Sequence, residues 1–157
     1  MKVLATTDGS NFSRAALREL SKFLPTKGTE VLLLSAYPGP LTGPLGMMGP
    51  PYVDYEALAK QIVKETQSTL AEGEEILRNQ GFQVRSISRE GDAAPTILDV
   101  AHHELVDLIV VGSHGRTGLS RFLLGSVSAQ VMAHATCSVL VVKTPFPEAD
   151  EPGSQRV

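Results

Sequence analysis

Apolar residues recur along the chain in two alternating periods. Four short β-branched and leucine-rich runs, Val3-Leu4-Ala5, Val31-Leu32-Leu33-Leu34, Leu108-Ile109-Val110-Val111 and Val139-Leu140-Val141-Val142, read as strands. The leucine run is too uniformly apolar for a sheet with one wet face, so that strand is expected to be central and buried on both sides. Between the runs, apolar residues fall three or four apart, the spacing of amphipathic helices.

Taken in order, the pattern predicts a first strand over Lys2 to Thr7, a turn at Asp8-Gly9-Ser10, and a helix over Phe12 to Leu24 that presents Ala16, Leu17, Leu20, Phe23 and Leu24 and stops at Pro25. A second strand spans Thr29 to Ala36. From Tyr37 to Val53 the composition changes to Gly, Pro and Met, which supports no regular element; a loop that long inside a compact domain is a flap over a site or a plain flexible insertion. The longest helix follows over Asp54 to Gln80, capped by Asp54 and ended by Gly81, with Tyr55, Leu58, Ile62, Thr66, Leu70 and Leu77 on one stripe and a bend expected at Gly73. Phe82 to Ser88 alternates as an edge strand. Gly91-Asp92 then turns into a helix capped by Asp92, with Pro95 in its first turn and Ile97, Leu98, Ala101 and Leu105 as its buried face. After the strand at 108–111 and a glycine-rich loop, a helix begins near Ser126, and Ser138 to Val142 is the last strand. The tail from 145 to 157, rich in Pro, Glu and Asp, has the composition of a disordered segment.

Strands that alternate with helices imply a parallel sheet covered on both faces, a doubly wound α/β domain spanning residues 1–144. Five parallel strands in the order 3-2-1-4-5 place the switch point between strands one and four. Ligands of open α/β sheets bind at such a point, outside the carboxyl ends of the strands. The same order leaves the last strand on an edge, where an exposed apolar strand invites a second chain; a homodimer through 138–143 is the expectation.

Composition narrows the chemistry. With 42% hydrophobic and 20% charged residues in 157, the chain has the make-up of a soluble globular domain, and no apolar run approaches the roughly 20 residues that span a bilayer. No membrane association is expected. A net charge of −3 without a basic run argues against nucleic-acid binding. The single cysteine, Cys137, rules out an internal disulfide and fits a reducing compartment; with no export signal after Met1-Lys2, the cytoplasm is the expected location. His102 and His103 are adjacent and therefore cannot form the i, i+4 pair of a zinc helix.

The candidate chemistry lies between Gly112 and Ser128. Glycines at 112, 115, 118 and 125 let the backbone approach a ligand with its N–H groups turned inward, and the helix that begins near Ser126 adds unpaired N–H groups and the positive end of its dipole. Such a surface suits a phosphate. Two standard phosphate loops do not fit: no glycine is followed by lysine, as a P-loop requires, and Gly-x-Gly occurs nowhere. The alternative is a connection whose glycines serve turns, with Ser126 as a plain helix N-cap. Asp8 likewise has two readings, a turn or cap residue or a carboxylate facing the crevice.

What remains, Gly112-x2-Gly115-x9-Gly125-Ser126, resembles the nucleotide-binding signature of the universal stress protein family, in the branch that binds ATP. The likeness extends to Val3-Leu4-Ala5-Thr6-Thr7-Asp8-Gly9-Ser10 and to Val139-Leu140-Val141-Val142, and so covers about residues 1–144. It implies an ATP site made by Thr6, Thr7, Asp8, Ala36, Val111, Gly112, His114, Gly115, Arg116, Gly125, Ser126, Val127 and Ser128. Asp8 would contact the nucleotide and help hold Mg2+ or Mn2+; Ala36 would leave room for the base. The resemblance also implies a nucleotide-dependent regulatory module in a stress response, acting on an unidentified protein partner. A slow ATPase or autophosphorylating phosphotransferase is the alternative, although no residue stands out as a catalytic base; a dimerising scaffold without a nucleotide is the third reading.

Overall fold

Alternate residues of each central strand face opposite helical layers, and this alternation sets the architecture. The computed structural model describes residues 1–39, 54–113 and 124–143. Its elements are β1 (Lys2–Thr6), α1 (Asn11–Phe23), β2 (Glu30–Tyr37), α2 (Tyr55–Asn79), β3 (Gln83–Glu90), α3 (Ala93–His103), β4 (Leu108–Gly112), α4 (Ser126–His134) and β5 (Ser138–Val142). The five strands form one parallel sheet in the order β3-β2-β1-β4-β5, as the alternating pattern predicts. In register across its centre, Leu4 sits beside Leu32 and Ile109. These three point into a layer closed by Ala94, Ile97, Val100 and Ala101 of α3 and Val131 of α4. Val3, Ala5, Val31, Leu33 and Val110 point the other way, against Ala16, Leu17 and Leu20 of α1 and Leu70 and Leu77 of α2. Both faces are dry, so the central strands carry no polar alternation and read as continuous apolar runs.

Element ends show where the sequence pattern was and was not decisive. Asp54 caps α2 by accepting from Ala57 N at 2.9 Å, and Ser10 caps α1 by accepting from Ser13 N at 3.1 Å. Asp92 occupies the N-cap position of α3, but its side chain makes no capping hydrogen bond. Tyr37, assigned to the Gly/Pro/Met insert, is instead the last residue of β2, held in register with Glu90 of β3. The rest of that insert beyond Gly39, and the tail from 145 to 157, lie outside the described residues.

Leu105 corrects an expectation. It was expected on the buried face of the helix before β4, yet it is 80% exposed and has φ 51°. Helix α3 ends at His103, two residues before Leu105: Val106 N donates to Ala101 O and Leu105 N to His102 O, each at 3.2 Å, the paired bonds of a Schellman stop. Helix α2 ends with the same pair of bonds, from Phe82 N to Leu77 O and Gly81 N to Arg78 O. There the left-handed position is a glycine and is visible in the sequence; in α3 it is a leucine, and the buried apolar residue is the next one, Val106.

Gly73 has a packing role that its sequence context does not show. Helix α2 runs through it as one element, and the glycine is buried where α2 crosses the sheet. A Cβ there would lie 2.8 Å from Leu33 Cδ2 and 3.2 Å from Leu17 Cδ1, so the missing side chain permits close packing. At the opposite pole from the strands' carboxyl ends, Glu104 joins three elements by accepting from Lys2 Nζ at 2.7 Å and Arg85 Nη2 at 2.8 Å. The Lys2 ammonium, opposed by desolvation and helped by Arg85, holds the Glu104 carboxyl below its ordinary value of 4.5.

Two outcomes are expected. Gly73→Val should lower stability by about 1–3 kcal/mol through overpacking, despite valine's better helix propensity, and chemical denaturation measures it. A variant as stable as the wild type would mean that Leu33 and Leu17 move aside freely. Glu104→Gln should be less stable than the wild type at neutral pH. Because the folded-state pKa is lowered, the contribution is present above the unfolded value and is lost as pH falls through the folded one, so the two melting temperatures should converge in acid, once the pH lies below the folded-state value. A gap that persists in acid would show that charge is not its source.

Candidate functional site

Parallel strands end on one side of the sheet, and each is followed by a helix whose amino end starts near that side. At the switch point, β1 lies between β2 and β4, and the exits of β1 and β4 open into a cavity of about 230 Å3. Thr6, Thr7 and Asp8 line it from the end of β1, Leu34 and Ala36 from β2, Val111 and Gly112 from β4, and Gly125, Ser126, Val127 and Ser128 from the start of α4. Ten of the thirteen residues assigned from the sequence are thus brought together at one cavity, although they span more than a hundred positions of the chain. His114, Gly115 and Arg116 lie outside the described residues. Ser13, Leu34, Ala93 and Ile97 also line the cavity and were not assigned from the sequence. Leu34 and Ile97 belong to core-forming patterns, where nothing distinguishes a residue at the cavity floor from its buried neighbours.

The lining divides into two chemical halves. Leu34, Ala36, Ala93, Ile97 and Val111 give an apolar wall. Gly112 and Gly125, which have no side chain, bring main chain to the cavity, and Ser126 lines it beside Gly125. Gly125 rather than Ser126 is the N-cap of α4, with no side-chain cap bond; Ser126 is the first helical residue, and its side chain is exposed. Ser128, in the same first turn, is buried and donates its hydroxyl proton to Gly125 O at 2.9 Å. Gly125 N donates to Ser113 O at 2.8 Å, which ties the start of α4 back to the end of β4. Two more helices begin at the same place: Ala93 is the first residue of α3, and Ser13 lies in the first turn of α1.

Among the described lining residues there is no lysine, arginine or histidine, and Asp8 is the one carboxylate. Asp8 Oδ1 accepts from Ser10 N at 3.0 Å, closing a turn two residues long. The turn reading of Asp8 and the crevice reading therefore hold together, since the same side chain bonds the backbone and lines the cavity. No group of three or more metal-ligating side chains exists among the described residues. Asp8 alone fits the way Mg2+ is commonly held, by one or two carboxylates with the remaining positions supplied by water and substrate phosphates. No helix among the described residues is long and apolar enough to cross a membrane.

Comparison with known proteins agrees with this architecture. The sequence profile of the universal stress protein family matches residues 1–143. Universal stress protein MJ0531 of Methanocaldococcus jannaschii is 32% identical over 147 residues, which are 94% of this chain and 84% of that one. The solved structure of MJ0577, a universal stress protein of the same organism, superimposes with a TM-score of 0.77 at 30% identity over 93% of this chain and 97% of that one. Two more distant structures share the fold. One is a universal stress protein of Archaeoglobus fulgidus in complex with dAMP (TM-score 0.61, 21% identity, 90% of this chain and 96% of that one). The other is a family member of Arabidopsis thaliana with AMP bound (TM-score 0.59, 22% identity, 99% of this chain and 97% of that one). By profile, sequence and fold, the chain belongs to the universal stress protein family.

Proposed function

We propose that the cavity binds an adenine nucleotide, ATP with a divalent cation, and that occupancy regulates how this protein meets a partner during a stress response. The observation that carries this reading is a single cavity that joins the start of α4 to an apolar wall from β2, β4 and α3. The N–H groups of a helix's first turn and the positive end of its dipole favour an anion that approaches the backbone closely. The apolar wall of Leu34, Ala36, Ala93, Ile97 and Val111 sits beside that anion subsite, a combination that fits a base joined to phosphates better than a bare inorganic anion. The structural relatives solved with AMP and dAMP support the adenine assignment.

In this proposal Gly112, Gly125, Ser126, Val127 and Ser128 present main chain to the phosphates, joined by His114, Gly115 and Arg116. Thr6, Thr7, Asp8, Ala36 and Val111 surround the nucleoside. Mg2+ or Mn2+ bound between Asp8 and the phosphates would offset the repulsion between two anionic groups. The role is one of binding and signalling, without required turnover. We further propose a homodimer through β5, the sheet edge, whose Val139, Leu140 and Val141 are only half-buried within one chain.

Ala36→Phe should crowd the base and weaken Mg-ATP binding by about tenfold or more, while inorganic triphosphate binding stays unchanged; calorimetric titration with both ligands separates the two effects. Equal loss of both would argue against placing the base beside Ala36. Leu140→Lys should shift the protein toward monomer in analytical ultracentrifugation, since a charge at a paired edge strand opposes association. A dimer of unchanged strength would remove β5 from the interface.

A further inference from the structure

Ser13 lines the cavity from α1 with its side chain only 5% exposed, and Thr7, beside it, is 6% exposed. Buried hydroxyls need partners, and proton counting fixes who donates to whom. Ser13 Oγ lies 3.0 Å from Ser10 O, a carbonyl that can only accept, so the single Ser13 hydroxyl proton goes there. Thr7 Oγ1 lies 3.2 Å from Ser13 Oγ and 3.3 Å from Gly9 N. The amide can only donate, so Thr7 accepts from Gly9 and passes its own proton to Ser13. The result is a directed chain, Gly9 N–H to Thr7 to Ser13 to Ser10 O, that closes the turn at the exit of β1. Asp8 sits inside that loop, and its carboxylate is held by the N–H of Ser10.

This chain leaves neither hydroxyl with a proton for a ligand. The start of α1 does not depend on it either: Ser13 N donates to Ser10 Oγ at 3.1 Å and Arg14 N to Ser10 O at 3.0 Å, both independent of the Ser13 hydroxyl. The Ser13 hydroxyl also accepts from Ser10 Oγ at 3.4 Å, and through Thr7 it provides the link from helix to strand exit.

We infer that Ser13 is a positioning residue of the nucleotide site: acting through Thr7, it fixes the 7–10 turn so that Asp8 faces the nucleoside part of the ligand. This rests on the nucleotide reading above, and the two can fail separately. Removing the hydroxyl leaves the Thr7 proton without its acceptor in a buried place, and the turn relaxes to find another. Recognition of the nucleoside, and of a cation that Asp8 shares with its phosphates, suffers; the backbone of Gly112 and the start of α4, which meets the phosphates directly, is unchanged.

The test is calorimetric titration of Ser13→Ala, Thr7→Val and the double variant with Mg-ATP and with metal-free inorganic triphosphate, each variant checked for folding by circular dichroism. Ser13→Ala should bind Mg-ATP about tenfold more weakly, the loss expected when a buried hydroxyl is left unsatisfied, with triphosphate affinity within about twofold of wild type. The double variant should bind Mg-ATP no more weakly than the worse single one, because both substitutions break the same chain. Should Ser13→Ala fail to fold, Thr7→Val carries the same comparison of the two ligands. Mg-ATP affinity within about twofold of wild type, or parallel loss of both ligands, would overturn the positioning role. A wild type that binds triphosphate but shows no preference for Mg-ATP would overturn the nucleotide reading itself, and this inference with it.

Discussion

The structure depends on one constraint: the central strands are buried on both faces. Leu4 and Leu32 on one side, and Val3, Ala5, Val31 and Leu33 on the other, are fully shielded from solvent. A sheet in that position must be covered by helices above and below, and parallel strands linked by crossover helices are the arrangement that achieves it. Parallel pairing in turn sends every strand out at the same side. The helices that follow therefore start there, and their unpaired N–H groups gather around the switch point between β1 and β4. The site is thus a consequence of how the core is covered.

The same constraint explains the electrostatics of the cavity. Among the described lining residues of the cavity no cationic side chain is present. In the proposed binding mode the amides and dipole of α4 act on the phosphates at close range, together with His114 and Arg116. Asp8 is then the conspicuous side chain, an anion at a site suited to anions. Its position makes physical sense when its partners are considered: the Ser10 N–H satisfies one oxygen, and the turn that aims it is braced by buried hydroxyls of Thr7 and Ser13. The polar network and the apolar wall together favour a ligand with distinct base, sugar and phosphate parts.

Much of this was legible in the sequence because the signals were strong and local. Uninterrupted apolar runs marked the strands, their alternation with helical periods implied a parallel sheet covered on both faces, and glycines spaced through 112–125 marked the candidate phosphate loop. The failures came where tertiary contacts set the outcome. Leu105 continued a helical spacing, but α3 stops with a leucine in the left-handed position normally given to glycine. Gly73 read as a weak point in α2, and its close approach to Leu33 and Leu17 is visible only in the fold. Ser13 was invisible for a different reason: a serine in the first turn of a helix is ordinary, and only the fold places Thr7 against its hydroxyl. Ala93 and Ile97 reach the cavity from a helix remote from both sequence motifs, so no local pattern could assign them.

The central claim is that backbone at the start of α4 holds the phosphates of a nucleotide. Gly125, the N-cap of that helix, tests it directly, because aspartate is a favourable N-cap and adds a negative charge at the point where phosphate should sit. Calorimetric titration of wild type and Gly125→Asp with Mg-ATP should give micromolar or tighter binding to the wild type and a loss of about a hundredfold in a variant that melts no lower. Equal affinity in the two proteins would contradict the account.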